Sequence, residues 1–141
     1  MDGYPGPRRR AVAEGAVVAA GGALGGLARW SLDEVVPGSG DGVPWATLAA
    51  NVGGSLLLGA LVVVLPAVLP GDRHLRAFLA VGVLGSFTTF AAYTSETRLL
   101  LADGRVVTAA VYLLGTAAAC LLAATAGMLV ARRLLPPEGS R

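Results

Sequence analysis

Residues 82–96 read Gly-Val-Leu-Gly-Ser-Phe-Thr-Thr-Phe-Ala-Ala-Tyr-Thr-Ser-Glu, and this run decides what kind of chain carries it. It lies largely within a stretch, 77–95, that holds no charged residue and is about as long as a helix must be to cross a bilayer. A plain lipid anchor has no reason to place two glycines three apart, then Ser86 and paired threonines, near its centre. Glycine weakens a helix through backbone entropy and hydroxyls compete for its carbonyls, so the pattern predicts a break at about 85–89. At membrane depth a break leaves backbone carbonyls that protein, water or an ion must satisfy. Such oxygens suit a hard cation.

Working outward, three more stretches, 15–28, 42–71 and 106–131, also lack Asp, Glu, Lys and Arg. The 141 residues are 55% hydrophobic and 14% charged, where a soluble domain carries about a quarter charged residues. This excludes a soluble globular enzyme. The expected architecture is an all-α membrane protein with four transmembrane helices at about 11–32, 45–69, 76–98 and 106–133, the third broken near the membrane centre. Residues 1–10, with Pro5 and Pro7, form an expected disordered polar tail, and 134–141 a C-terminal tail. The segment 37–44 (PGSGDGVP) is turn chemistry, Trp45 stands where an interfacial aromatic belongs, and Pro66 and Pro70 close the second span. Short connectors predict antiparallel neighbours.

All eleven basic residues are arginine, and most lie outside the apolar stretches. A membrane topology explains them better than a nucleic-acid partner does. With four spans, Arg8, Arg9, Arg10, Arg73, Arg76, Arg132, Arg133 and Arg141 fall on one side, against Arg29, Arg98 and Arg105 on the other. Cytoplasmic loops collect basic residues, so both termini are expected in the cytoplasm of a multi-pass protein of the cell membrane. Cys120 is alone, which excludes a disulfide framework. Most of the 20 glycines lie in the apolar stretches, where small residues let helices approach. Gly21/Gly25, Gly22/Gly26, Ser55/Gly59 and Gly115/Ala119 are the pairs expected to pack.

Asn51 sits inside the second span without a charge nearby and must face a partner helix or a pore. In the fourth span Tyr112, Thr116 and Cys120 recur every four residues and share a helix face. Hydroxyls, an amide N–H and aromatic ring edges are donors or carry partial positive charge, and no carboxylate lies in mid-membrane. Such a site suits a small, hard anion. A proton-coupled multidrug transporter needs a deep carboxylate, and Glu14 and Glu96, the candidates, lie at span ends. A structural membrane protein whose polar residues only join helices is the third reading. No nucleophile–base pair or metal-ligand cluster points to an enzyme.

Residues 22–30 (GALGGLARW), 47–54 (TLAANVGG) with Gly59, and 82–96 resemble the three signature stretches of the bacterial fluoride channel family, the Fluc or CrcB proteins, in the right order on four spans. The resemblance covers nearly all of residues 15–131. It implies an antiparallel dimer, with itself or with a second homologous subunit, holding two pores for passive, fluoride-selective efflux that lowers cytoplasmic fluoride toxicity. It also implies a structural Na⁺ at the dimer centre, bound by the backbone carbonyls of Gly85 and Thr88 and not transported. The fluoride pathway it implies comprises Asn51 as anion donor, Phe90 through its ring edge, Thr89, Tyr93, Tyr112 and Thr116, with Arg29 in a vestibule. Tyr93 stands where the family usually has a second Phe, Ala91-Ala92 where it has Ser-Thr, Gly85-Ser86 where it has Gly-Gly, and Cys120 where a hydroxyl is common. Tyr93 keeps a ring edge and adds a hydroxyl. The surplus of arginine on one side favours pairing with an oppositely oriented homologous subunit.

Overall fold

Residues 7–36 and 42–135 are described by a computed structural model. They form α1 (Pro7–Val35), α2 (Trp45–Val68), a composite third span and α6 (Val106–Leu134). The third span consists of α3 (Arg73–Arg76), a π-helical segment (Ala77–Val83), α4 (Leu84–Phe87) and α5 (Phe90–Ala102). Four helices among the described residues are long and apolar enough to cross a membrane. The 24 residues of α2 rise about 36 Å, more than the roughly 30 Å hydrocarbon core requires.

The helices outrun the apolar stretches because a helix need not stop where lipid does. α1 begins at Pro7, so residues 7–10 of the expected tail are helical, and it continues to Val35. In its last turns Arg29 pairs with Asp33 at 3.0 Å, one turn on. The third span likewise runs to Ala102, and α6 to Leu134. Residues 1–6 and 136–141 of the two expected tails, and 37–41 of the first loop, lie outside the described residues.

The connectors have local causes. After Pro70, Gly71 adopts φ +92°, and Asp72 caps α3 by accepting from the Leu75 amide at 2.9 Å. At the other end Gly104, with φ +74°, stops α5 in a Schellman motif: the Arg105 amide donates to Leu100 O and the Gly104 amide to Leu101 O.

Small residues then fix how the helices meet. A Cβ on Gly21 or Gly25 of α1 would overlap the carbonyl oxygens of Phe78 and Val83 in the third span. Between α2 and α6 the same holds reciprocally, Gly59 against Ala124 O and Gly127 against Leu56 O. Backbone-to-backbone approach replaces the hydrophobic drive that lipid removes. The expected Gly115/Ala119 contact does not form within the chain, since Gly115 faces outward with nothing within 4 Å of its missing Cβ. A small core of Tyr93, Leu100, Ala109 and Tyr112, with Val43 and Leu48 against it, joins α5 to α6 and the start of α2. At the opposite end Arg73 pairs with Glu14, tying α3 to α1.

Candidate functional site: the helix break and its groove

The break falls at Thr88 and Thr89, whose backbones are extended (φ −82°, ψ 153° and φ −147°, ψ 118°). The two threonines divide the work. Thr88 ends α4, its amide and its hydroxyl both donating to Leu84 O, at 3.0 and 2.9 Å. Thr89 starts α5 as its N-cap, with its Oγ1 accepting from the Ala92 amide at 3.1 Å. Between them the ladder is diverted. In a continuous helix the Thr89 amide would donate to Gly85 O and the Ala92 amide to Thr88 O. Here the first donates to Asn51 Oδ1 at 2.8 Å and the second to the Thr89 hydroxyl, so the carbonyls of Gly85 and Thr88 are released. On the other side of the break the first amides of α5, those of Phe90 and Ala91, have no acceptor within their helix. The break thus offers carbonyl oxygens at one end and the positive end of a 13-residue helix at the other.

A groove of about 340 Å³ runs beside it, walled by α2, the third span and α6. Seven of the residues expected in the fluoride path or cation site line it, Asn51, Gly85, Thr88, Thr89, Phe90, Tyr93 and Thr116, together with Cys120. Gly54 lets Thr88 come close, because a Cβ there would overlap the Thr88 methyl. The Phe90 ring is 78% exposed at the open side of the groove. Tyr93 is buried, and its ring lies 5.9 Å from that of Phe90 and 5.5 Å from that of Tyr112, inclined by 54° and 55°. The expected extra donor is not offered to the groove, however. The Tyr93 hydroxyl donates to the Leu113 carbonyl of α6 and ties α5 to α6.

Thr116 differs from five other hydroxyls on these helices. Ser31, Thr88, Thr94, Thr97 and Thr125 each donate to the carbonyl four residues back, the usual resting place of a hydroxyl in a helix. Thr116 Oγ1, on a residue only 2% exposed, has no hydrogen-bond partner among the described residues. It lies between the groove and a second cavity of about 410 Å³ at the starts of α2 and α6, which Tyr112 also lines.

Tyr112 and Arg29 meet elsewhere, in a network that sequence reasoning did not assemble. Arg29 Nη2 donates to Thr47 Oγ1 at 2.7 Å and Nη1 to Ala46 O at 3.3 Å. The Thr47 hydroxyl donates to Glu96 Oε1 at 2.6 Å, and the Tyr112 hydroxyl to Glu96 Oε2 at 2.7 Å. Arg29 is therefore anchored at the α1–α2 end of the bundle and is not part of the groove wall. The missed members are Thr47 and Glu96. Their signal was spacing: Thr47 precedes Asn51 by four residues and Glu96 follows Tyr93 by three, placing each on the face of a residue already singled out. Glu96→Gln leaves one acceptor oxygen where two hydroxyls donate. It is expected to lower stability by about 1–3 kcal/mol through the unpaired group, read as a fall in the thermal unfolding midpoint. An unchanged midpoint would show that the network holds nothing together.

An all-helical protein with four membrane-spanning helices, one of them interrupted beside a polar-lined groove, belongs with proteins that pass or bind ions in the bilayer rather than with lipid anchors. The profile of the CrcB-like protein family, Camphor Resistance (CrcB), matches residues 16–128, and the chain belongs to this family. "Fluoride-specific ion channel FluC 1" of Streptomyces coelicolor is 42% identical over 120 residues, covering 85% of this chain and 78% of that one. "Fluoride-specific ion channel FluC" of Thermus thermophilus is 49% identical over 102 residues, 71% of this chain and 80% of its own. The protein of the same name from Paracoccus denitrificans is 40% identical over 117 residues, 83% and 93% of the two chains.

Proposed function

We propose that this chain is a subunit of a passive, fluoride-selective channel that lets fluoride leave the cell and so limits its toxicity. The observation that carries the reading is the buried, unpartnered hydroxyl of Thr116 on the groove. A buried hydroxyl on a groove that uses neither the carbonyl of its own helix nor any other protein acceptor is a donor free for a ligand, and leaving it bare costs about 1–3 kcal/mol. The ligand is an anion, because the groove brings that hydroxyl together with the amide end of α5 and the Phe90 ring, whose edge, like the other two, favours negative charge. The names of the relatives supply the ion, fluoride, and a non-enzymatic role. The proton-coupled transporter gains no support. Glu96 is held by two hydroxyls in the network and does not line the groove.

The released carbonyls of Gly85 and Thr88 fit a hard cation, and these are the residues that would hold a structural Na⁺. When bound, the ion supplies a fixed positive charge at the break. The groove is open on the Phe90 side, which favours closure by a second subunit, antiparallel to the first. Arg8, Arg73, Arg76, Arg132 and Arg133 gather at one end of the bundle, favouring one orientation with the termini in the cytoplasm. A chain of fixed orientation needs an oppositely inserted homologue as partner, and numbered relatives such as FluC 2 and FluC 3 of Streptomyces avermitilis occur within one organism. Liposomes carrying the chain, alone or with such a homologue, are expected to release fluoride and retain chloride. Full efflux with the chain alone would exclude obligate hetero-pairing.

A further inference from the structure

We propose that Asn51 is a positioning residue: through its side-chain oxygen it clamps the break in the third span, and by this sets the cation site as well as the fluoride path. The cation part rests on the reading of Gly85 and Thr88 given above; the clamp itself does not. The glycines, Ser86 and the threonine pair weaken the helix over several residues, yet the chain breaks at one place. What singles out that place is a side chain from another helix. Asn51 Oδ1 accepts the Thr89 amide at 2.8 Å, and Asn51 Nδ2 donates to the Thr89 carbonyl at 3.0 Å. A carboxamide presents a donor and an acceptor in one plane, as a peptide unit does, so Oδ1 replaces the ladder bond that the Thr89 amide loses while Nδ2 adds a bond to the Thr89 carbonyl, which as N-cap also accepts the first bond of α5. Asn51 is 8% exposed, and Gly54, three residues on, admits the Thr88 methyl against α2, so the clamp and the close approach come from the same stretch of helix.

An anion ligand would use only the N–H of Asn51. The clamp depends on the oxygen. Asn51→Ala removes both, whereas Asn51→Asp keeps an acceptor for the Thr89 amide, and its protonated form reproduces both bonds. Two readouts need no fluoride: the rise in thermal midpoint when Na⁺ replaces a bulky organic cation, and deuterium exchange of segment 88–92 in purified protein. The clamp predicts that Asn51→Ala abolishes the Na⁺-dependent rise and speeds exchange of that segment at least tenfold, while Asn51→Asp retains the rise and the slow exchange. Wild-type behaviour of Asn51→Ala in both readouts would overturn it. If Asn51→Ala gives no folded protein, Asn51→Asp decides: slow exchange supports the clamp, and fast exchange overturns it. Absence of any Na⁺ effect in the unsubstituted chain would remove the cation reading and leave exchange alone to judge the clamp.

Discussion

Thr116→Val is expected to lower fluoride efflux roughly ten- to a hundredfold while leaving the protein as stable as before or more so. The two halves of this result have one cause. Valine matches threonine in shape, and it replaces a buried, unpartnered hydroxyl on a residue only 2% exposed. Removing an unsatisfied buried polar group relieves a penalty, so the unfolding midpoint should hold or rise. The same group, on a permeating anion, makes a hydrogen bond to a charge, worth about 1.5–3 kcal/mol. At about 1.4 kcal/mol per factor of ten, its loss gives the stated fall. Thr116→Ser restores the donor and should restore most of the flux. Were the hydroxyl only a packing element, flux and stability would change together.

The second large effect concerns the fold. Gly59→Leu is expected to eliminate most of the folded protein, read as the loss of a monodisperse peak on size exclusion at unchanged synthesis. The side chain would start inside the carbonyl oxygen of Ala124, and opposite it Gly127 packs on Leu56 O in the same way, so neither helix can yield locally. Overpacking a core by flexible side chains costs about 1–3 kcal/mol, but here the obstacle is backbone and the helices themselves must separate. Gly15→Ala, where nothing lies within 4 Å, serves as the tolerated control. A normal peak for Gly59→Leu would mean that α2 and α6 do not meet through these glycines.

Much of this was legible in the sequence because the bilayer constrains so strongly. Charge-free stretches locate four spans, since a charge in lipid is costly whatever the fold. The break was legible from Gly82, Gly85, Ser86 and the threonine pair, for these residues weaken a helix locally. What holds the break was not. The clamp on Thr89 depends on the register of α2, and register between helices is a tertiary property. For the same reason Glu96 read as a residue near a span end, although it accepts hydroxyls from two other helices. Gly115/Ala119 has the spacing of a packing pair but lies on the outward face of α6, because small-residue spacing says that helices can meet and not which face does. The Tyr112, Thr116, Cys120 stripe was visible as a stripe. That the Thr116 hydroxyl lacks a partner among the described residues, while that of Tyr112 donates to Glu96, required the structure.

The most direct measurement is the ratio of fluoride to chloride efflux from liposomes reconstituted with this chain, alone and together with a homologous subunit, in the presence of Na⁺. The groove at the broken third helix predicts rapid fluoride release with chloride retained in at least one of the two preparations, and a tenfold or greater fall on Thr116→Val. Fluoride retained in both preparations, or chloride released as fast as fluoride, would contradict the assignment of that groove as a fluoride path.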